Sequence, residues 1–151
     1  MEVRLKILNF GAGAVGLGLD SCLIKSGQSV DILARKETAE LLKSQGFKRT
    51  GIFGDFTALP QSFRTFSSVK DIPSSPYDFI IISVKSYDSK EAAQTLAKCH
   101  HFISSKTKLV LCQNGWGNAE IFAQYFPKHQ IYSIRIITGF TRPKPNEVVI
   151  T

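Results

Sequence analysis

Gly11, Gly13, Gly16 and Gly18 place four glycines within eight residues, directly behind a strand-like opening and directly ahead of a helix-like stretch. Residues 3–10 start with an alternation of period two, Val3, Leu5 and Ile7 apolar against Arg4 and Lys6 polar, which reads as a strand. Residues 14–26 carry helical spacing, and Gly27 follows where a C-terminal cap belongs. A glycine loop between the two exposes backbone N–H groups at a helix start. The same glycines interrupt the apolar run behind the basic beginning, which argues against a secretion signal. The longest later apolar run, residues 79–82, is far below the ~20 needed to cross a bilayer. No membrane contact is expected.

The alternation continues. Residues 29–34 read as a second strand, 38–45 as a second helix closed by Gly46, and 47–60 as a hairpin or irregular strand pair around Gly51 and Gly54. Residues 77–85, with Phe79-Ile80-Ile81-Ile82, predict a central strand buried on both faces. Asp88 and Glu91 form a capping-box pattern ahead of Ala92, Ala93, Leu96, Ala97, Cys99 and Ile103 at helical spacing. Strands over 108–113, 131–139 and 148–151 and a helix over 119–126, ended by Pro127, complete the pattern. Strands alternating with helices imply right-handed crossovers: an α/β fold of the doubly wound type, a mostly parallel sheet with helices on both faces. Residues 1–151 are read as one domain. Such sheets take ligands at the carboxyl ends of their strands, near the switch point.

Charge and cysteines narrow the class. Nineteen Lys and Arg against twelve Asp and Glu give +7, but the cations are scattered singly or in pairs, without the run that marks a nucleic-acid stripe. Small anionic ligands fit that surface better. Cys22, Cys99 and Cys112 are odd in number and show no metal spacing, so they read as reduced thiols of a cytoplasmic protein. His100 and His101 read as helix-surface residues, and no metal site is expected.

The glycine loop is a full G-x-G-x-x-G: Gly11-Ala12-Gly13-Ala14-Val15-Gly16. Gly11 permits the tight turn, Gly13 lets backbone approach a pyrophosphate, and Gly16 lets helix and strand pack closely. A ligand-free turn and a methyl-donor site are the alternatives. A NAD site places an acid about 20 positions into the unit to accept from the ribose 2′-hydroxyl. Here the second strand ends, 19 positions after Gly16, in Arg35 with Lys36 next; Asp31, its only acid, stands four residues earlier. A guanidinium can pair with a 2′-phosphate, so the cofactor expected is NADP(H). A solvated Arg is the bland alternative. Further strand ends carry Ser83-Val84-Lys85 and Gln113-Asn114-Gly115-Trp116-Gly117-Asn118. Lys85 would bring a point charge to the crevice and Asn114 a hydrogen-bonding amide, although a solvated lysine and a plain Asn-Gly turn fit these residues too.

These four motifs, with Leu33-Ala34-Arg35 and Val84-Lys85-Ser86-Tyr87-Asp88 in order and spacing, resemble the N-terminal Rossmann-type domain of ketopantoate reductases (2-dehydropantoate 2-reductases). The resemblance implies NADPH-dependent reduction of 2-dehydropantoate to pantoate, on the route to pantothenate and coenzyme A. By carry-over, Gly11, Ala12, Gly13, Ala14, Val15 and Gly16 would hold the pyrophosphate, and Arg35 with Lys85 the 2′-phosphate. Asn114 would lie beside the nicotinamide ribose and the keto acid, with Thr138 and Gly139 near the nicotinamide end. The resemblance also implies a second, helical domain, absent from these 151 residues, that supplies the general-acid lysine. The chain alone is therefore expected to bind cofactor and to catalyse poorly or not at all. It is also expected to self-associate through the face that domain would cover. A non-catalytic NADP(H)-binding module and the cofactor domain of another hydroxy-acid dehydrogenase remain as alternatives.

Overall fold

The computed structural model describes residues 2–151. In chain order the elements are β1 (Lys6–Phe10), α1 (Ala14–Lys25), β2 (Ser29–Leu33), α2 (Lys36–Gln45), β3 (Phe47–Gly51), β4 (Phe56–Ala58) and β5 (Arg64–Phe66). There follow β6 (Phe79–Ile82), α3 (Ser89–Leu96), β7 (Lys108–Leu111), α4 (Asn118–Phe122), β8 (Ile131–Ser133), β9 (Phe140–Lys144) and β10 (Glu147–Ile150).

The main sheet runs β5-β2-β1-β6-β7-β8, and all of its pairings are parallel. From β1 the chain builds outward through β2 to β5, then returns to β6 and builds the other way. The switch point therefore lies between β1 and β6. Alternate residues serve the two faces. Leu8, Ile80, Ile82, Leu109 and Leu111 pack with Ala92, Ala93 and Leu96 of α3 and Phe122 of α4. Ile7, Ile81 and Cys112 pack with Val15, Leu19 and Leu23 of α1. This is the Rossmann-type α/β architecture that the sequence predicted.

A second sheet, β4-β3-β10-β9, lies against α1. The hairpin expected over 47–60 is present as antiparallel β3 and β4, with Phe47 opposite Ala58. Its continuation is new: β10 pairs parallel with β3 and antiparallel with β9. Buried Arg49 ties this layer to α1, donating to the carbonyls of Phe53 and Gly54 at 3.1 Å each and to Ser21 Oγ at 3.2 Å. Neutral acceptors thus satisfy a charge removed from water. Gly18 leaves the room that the Phe140 ring occupies on α1.

Four expectations need correction. The strand predicted over 131–139 stops at Ser133, because its partner β7 ends at Leu111 and offers no further ladder. The helix expected to reach Ile103 ends at Leu96, and residues 97–103 fold into successive turns. The carbonyl of Phe102 is taken by the Tyr77 N–H, so this segment is drawn under the sheet instead of continuing as helix. His100 and His101 consequently sit exposed in a turn. Finally, the Asp88–Glu91 capping box does not form: Asp88 closes a 3₁₀ turn with φ −92° and ψ −1°, whereas a capping side chain needs extended backbone. Edge strand β5 was not foreseen at all. The cysteines are free, Cys99 and Cys112 buried and Cys22 half-buried.

Candidate functional site

The glycine loop has the tight turn expected at Gly11 and the close helix–strand packing expected at Gly16. Gly11 has φ +123°, a left-handed conformation that side chains rarely adopt. A Cβ on Gly16 would stand 2.5 Å from Ser83 Oγ, 2.7 Å from Asn9 Nδ2 and 2.8 Å from the Gly11 carbonyl, so helix and strand meet there with no space for a methyl group. A Cβ on Gly13 would meet nothing within 4 Å. Gly13 is the N-cap of α1 and supplies no side-chain cap, which leaves the first N–H groups of the helix open towards that space.

Beneath the loop lies a polar network in otherwise apolar surroundings. Ser83 Oγ donates to Asn9 Oδ1 at 2.7 Å and approaches the Gly11 carbonyl at 3.1 Å. Asn9 Nδ2 donates to Asp20 Oδ2 at 2.6 Å. Asp20 is fully buried and its Oδ1 has no partner. Burial pushes its carboxyl well above the usual range, against the smaller opposing effect of the Asn9 hydrogen bond. The Cys112 thiol is pushed up to about 12, by burial and then by Asp20. These side chains fix the loop from behind: Asn9 near the end of β1, the turn after β6 and the second turn of α1 are all pinned together.

At the switch point a cavity of about 690 Å³ opens over the strand ends, within the size range of small-molecule sites. Gly11, Ala12 and Gly13 form one part of its wall, Ala34, Arg35 and Thr38 another, and Ser83, Val84 and Lys85 a third. Ala14, Val15 and Gly16 stand behind the wall as the first turn of α1. Two acids, Asp88 and Glu91, also line it, from the turn and helix after β6; no acid sits at the end of β2. Asp31 is taken up elsewhere, buried and bonded to Arg64 and Tyr77.

The family profile described as "Ketopantoate reductase PanE/ApbA" matches residues 7–151, nearly the whole chain. The chain belongs to the ketopantoate reductase family. Among curated ketopantoate reductases, the 2-dehydropantoate 2-reductase of Aquifex aeolicus is 33% identical over 147 residues, 97% of this chain and 44% of that protein. The solved 2-dehydropantoate 2-reductase of Geobacter metallireducens superposes with a TM-score of 0.84 at 28% identity, over 96% of this chain and 46% of that one. A D-mandelate dehydrogenase solved with NADH and anilino(oxo)acetate shares the fold, with a TM-score of 0.81 at 20% identity. The chain spans about half the length of the ketopantoate reductases it matches.

Within the ketopantoate reductase fold, Asn114 stands apart from the cavity wall, on the exposed loop that follows β7, the next strand along. Its carbonyl accepts from the Ser86 hydroxyl and lies 3.4 Å from Asn118 Nδ2. Asn118 Oδ1 in turn accepts from Ser89 at 2.7 Å, so the loop is braced on the turn that carries Lys85. Thr138 and Gly139 are not on the wall; Gly139 pairs its backbone with Thr151 at the end of the second sheet. The sequence reading missed Thr38, Ser67 and Arg142, which all line the cavity. Thr38, three residues after Arg35 in the first turn of α2, was within reach of a spacing argument. Arg142 was not, because its sheet was not foreseen. Among the described residues there is no cluster able to hold a metal ion, and no helix long and apolar enough to cross a membrane.

Proposed function

We propose that the chain is the NADPH-binding half of a reductase that delivers hydride to the keto group of 2-dehydropantoate, giving pantoate. One observation carries the reading. A single cavity joins the open amides of α1 to a cationic end of β2, where a NAD site would place a carboxylate. Gly11, Ala12 and Gly13, with the amides of Ala14, Val15 and Gly16, hold the pyrophosphate by backbone N–H and helix dipole. Arg35 pairs with the 2′-phosphate through a guanidinium fork, and Lys85 adds a point charge from the end of β6, across β1 from β2. Asn114, one strand further along the same edge, positions the nicotinamide ribose and the keto acid. When bound, NADPH supplies the hydride.

Ketone reduction also needs a proton donor at the developing alkoxide. Lys85 is committed to phosphate in this reading, so the donor comes from outside these residues. Tyr87, Trp116, Ile134 and Ile137, on the loops after β6, β7 and β8, expose apolar side chains at the carboxyl edge of the sheet. They form the surface on which a partner domain carrying that donor would close.

The reading is tested by mixing the chain with NADPH and 2-dehydropantoate, then following coenzyme binding and reduced-nicotinamide absorbance separately. Binding with slow or no oxidation supports it, and so does pantoate-forming turnover. Turnover of a different keto acid in preference to 2-dehydropantoate overturns the substrate assignment.

A further inference from the structure

Arg142 belongs to the second sheet, yet its side chain lines the cavity together with Gly13, Arg35 and Thr38. The register explains how it gets there. Thr141 stands opposite Val149 and Lys144 opposite Glu147, so Arg142 and Pro143 share the single position facing Val148. One extra residue in β9 makes a bulge, the device by which an edge strand re-aims a side chain. Arg142 Nε donates to the Pro145 carbonyl at 3.1 Å, which fixes the guanidinium against its own hairpin. The two Nη groups donate to no protein atom, and no carboxylate pairs with them, among the described residues. Partial burial lowers the proton affinity of this guanidinium, as expected for a cation held off water without a counter-ion.

A half-buried guanidinium, aimed by a bulge, anchored at Nε and unpaired at Nη, is built to receive an anion. We propose that Arg142 is a second guanidinium on the 2′-phosphate of NADPH, so that coenzyme preference is set jointly by the β2–α2 turn and by the second sheet. This rests on the cofactor reading above. The pyrophosphate is already provided for by the amides of the glycine loop. A phosphate monoester carries close to two charges and three acceptor oxygens, so it has room for a second guanidinium beside the fork of Arg35 and the point charge of Lys85. Arg142 lines the same cavity as Arg35 and Thr38.

Calorimetric titration of the full chain with NADPH, NADH, adenosine 2′,5′-bisphosphate and ADP tests the proposal without any need for turnover. Arg142→Met should weaken NADPH and adenosine 2′,5′-bisphosphate about tenfold or more, and leave NADH and ADP within about twofold. Arg142→Lys, which keeps the charge but loses the fork, should fall between; it decides the matter if the Met variant does not fold. Equal losses for all four ligands would place Arg142 on the pyrophosphate and overturn the proposal, as would no loss at all. Wild-type protein that binds neither coenzyme overturns the cofactor reading itself, a result distinct from either.

Discussion

Arg64 meets Asp31 edge to edge, with Nε on one carboxylate oxygen at 2.9 Å and Nη2 on the other at 2.7 Å. Tyr77 adds its hydroxyl to the same carboxylate at 2.6 Å. The pairing crosses from β2 to the edge strand β5, opposite in register, and it closes the outer flank of the main sheet. Its functional consequence is indirect. The only acid of β2 is spent on architecture, and the charged residue that follows this strand at the cavity wall is Arg35.

Asp31→Asn should therefore destabilise the chain without changing coenzyme preference. The carboxylate is buried but the Arg64 side chain is half exposed, so solvent screening keeps the loss to about 1–3 kcal/mol. Tyr77→Phe removes one donor and should cost about 1–2 kcal/mol. Urea unfolding followed by titration with both coenzymes checks the pair. A changed NADPH-to-NADH ratio in Asp31→Asn would show that the acid reaches the ribose after all.

Arg35→Asp should weaken NADPH by about 100-fold or more while affecting NADH little. It deletes a charge-assisted fork and faces the phosphate with a like charge. Equilibrium titration of folded variant protein gives the ratio directly, and parallel losses for the two coenzymes would remove Arg35 from the site.

Two glycine substitutions should fail in different ways. Gly13→Ala projects a methyl into open space, so stability should hold within about 1 kcal/mol while both coenzymes bind much more weakly. Gly16→Ala drives a methyl into Ser83, Asn9 and the Gly11 carbonyl. The overpacking, about 1–3 kcal/mol, outweighs the roughly 1 kcal/mol gained in helix propensity. Thermal melts should show a lower Tm for Gly16→Ala alone.

Asp20 gives the fold a pH dependence of definite sign. Its carboxyl is raised in the native state above the ordinary value of 3.8, so above that pH the unfolded chain releases a proton that the native chain keeps. Its contribution to stability is complete below about pH 3.8 and declines as pH rises towards the native value, by at most about 1.4 kcal/mol per pH unit. Asp20→Asn should remove this component and flatten the profile above pH 4 or so. Denaturant midpoints across the acid range measure it; identical slopes for both proteins would contradict it.

The main sheet was legible because each of its inner strands announces itself locally: Phe79 to Ile82 is apolar without interruption, and Gly27 and Gly46 end the helices that flank β2. The glycine loop was legible because three separate backbone demands fall on three fixed positions. Elements that depend on a distant partner were not. β5 is three residues that exist as a strand through pairing with β2. β9 contains Pro143 and a bulge, and only the β3–β10 ladder beside it makes it part of a sheet. Arg142 was lost with it. The network of Asn9, Asp20 and Ser83 links residues up to 74 positions apart and left no local trace.

The proposed function requires the cavity at the switch point to prefer the phosphorylated coenzyme. Isothermal calorimetry of the folded wild-type chain with NADPH and with NADH, at one modest salt concentration, tests that most directly. NADPH should bind saturably and one-to-one, at least about tenfold tighter than NADH. Equal affinities, or no heat with either coenzyme, would contradict it.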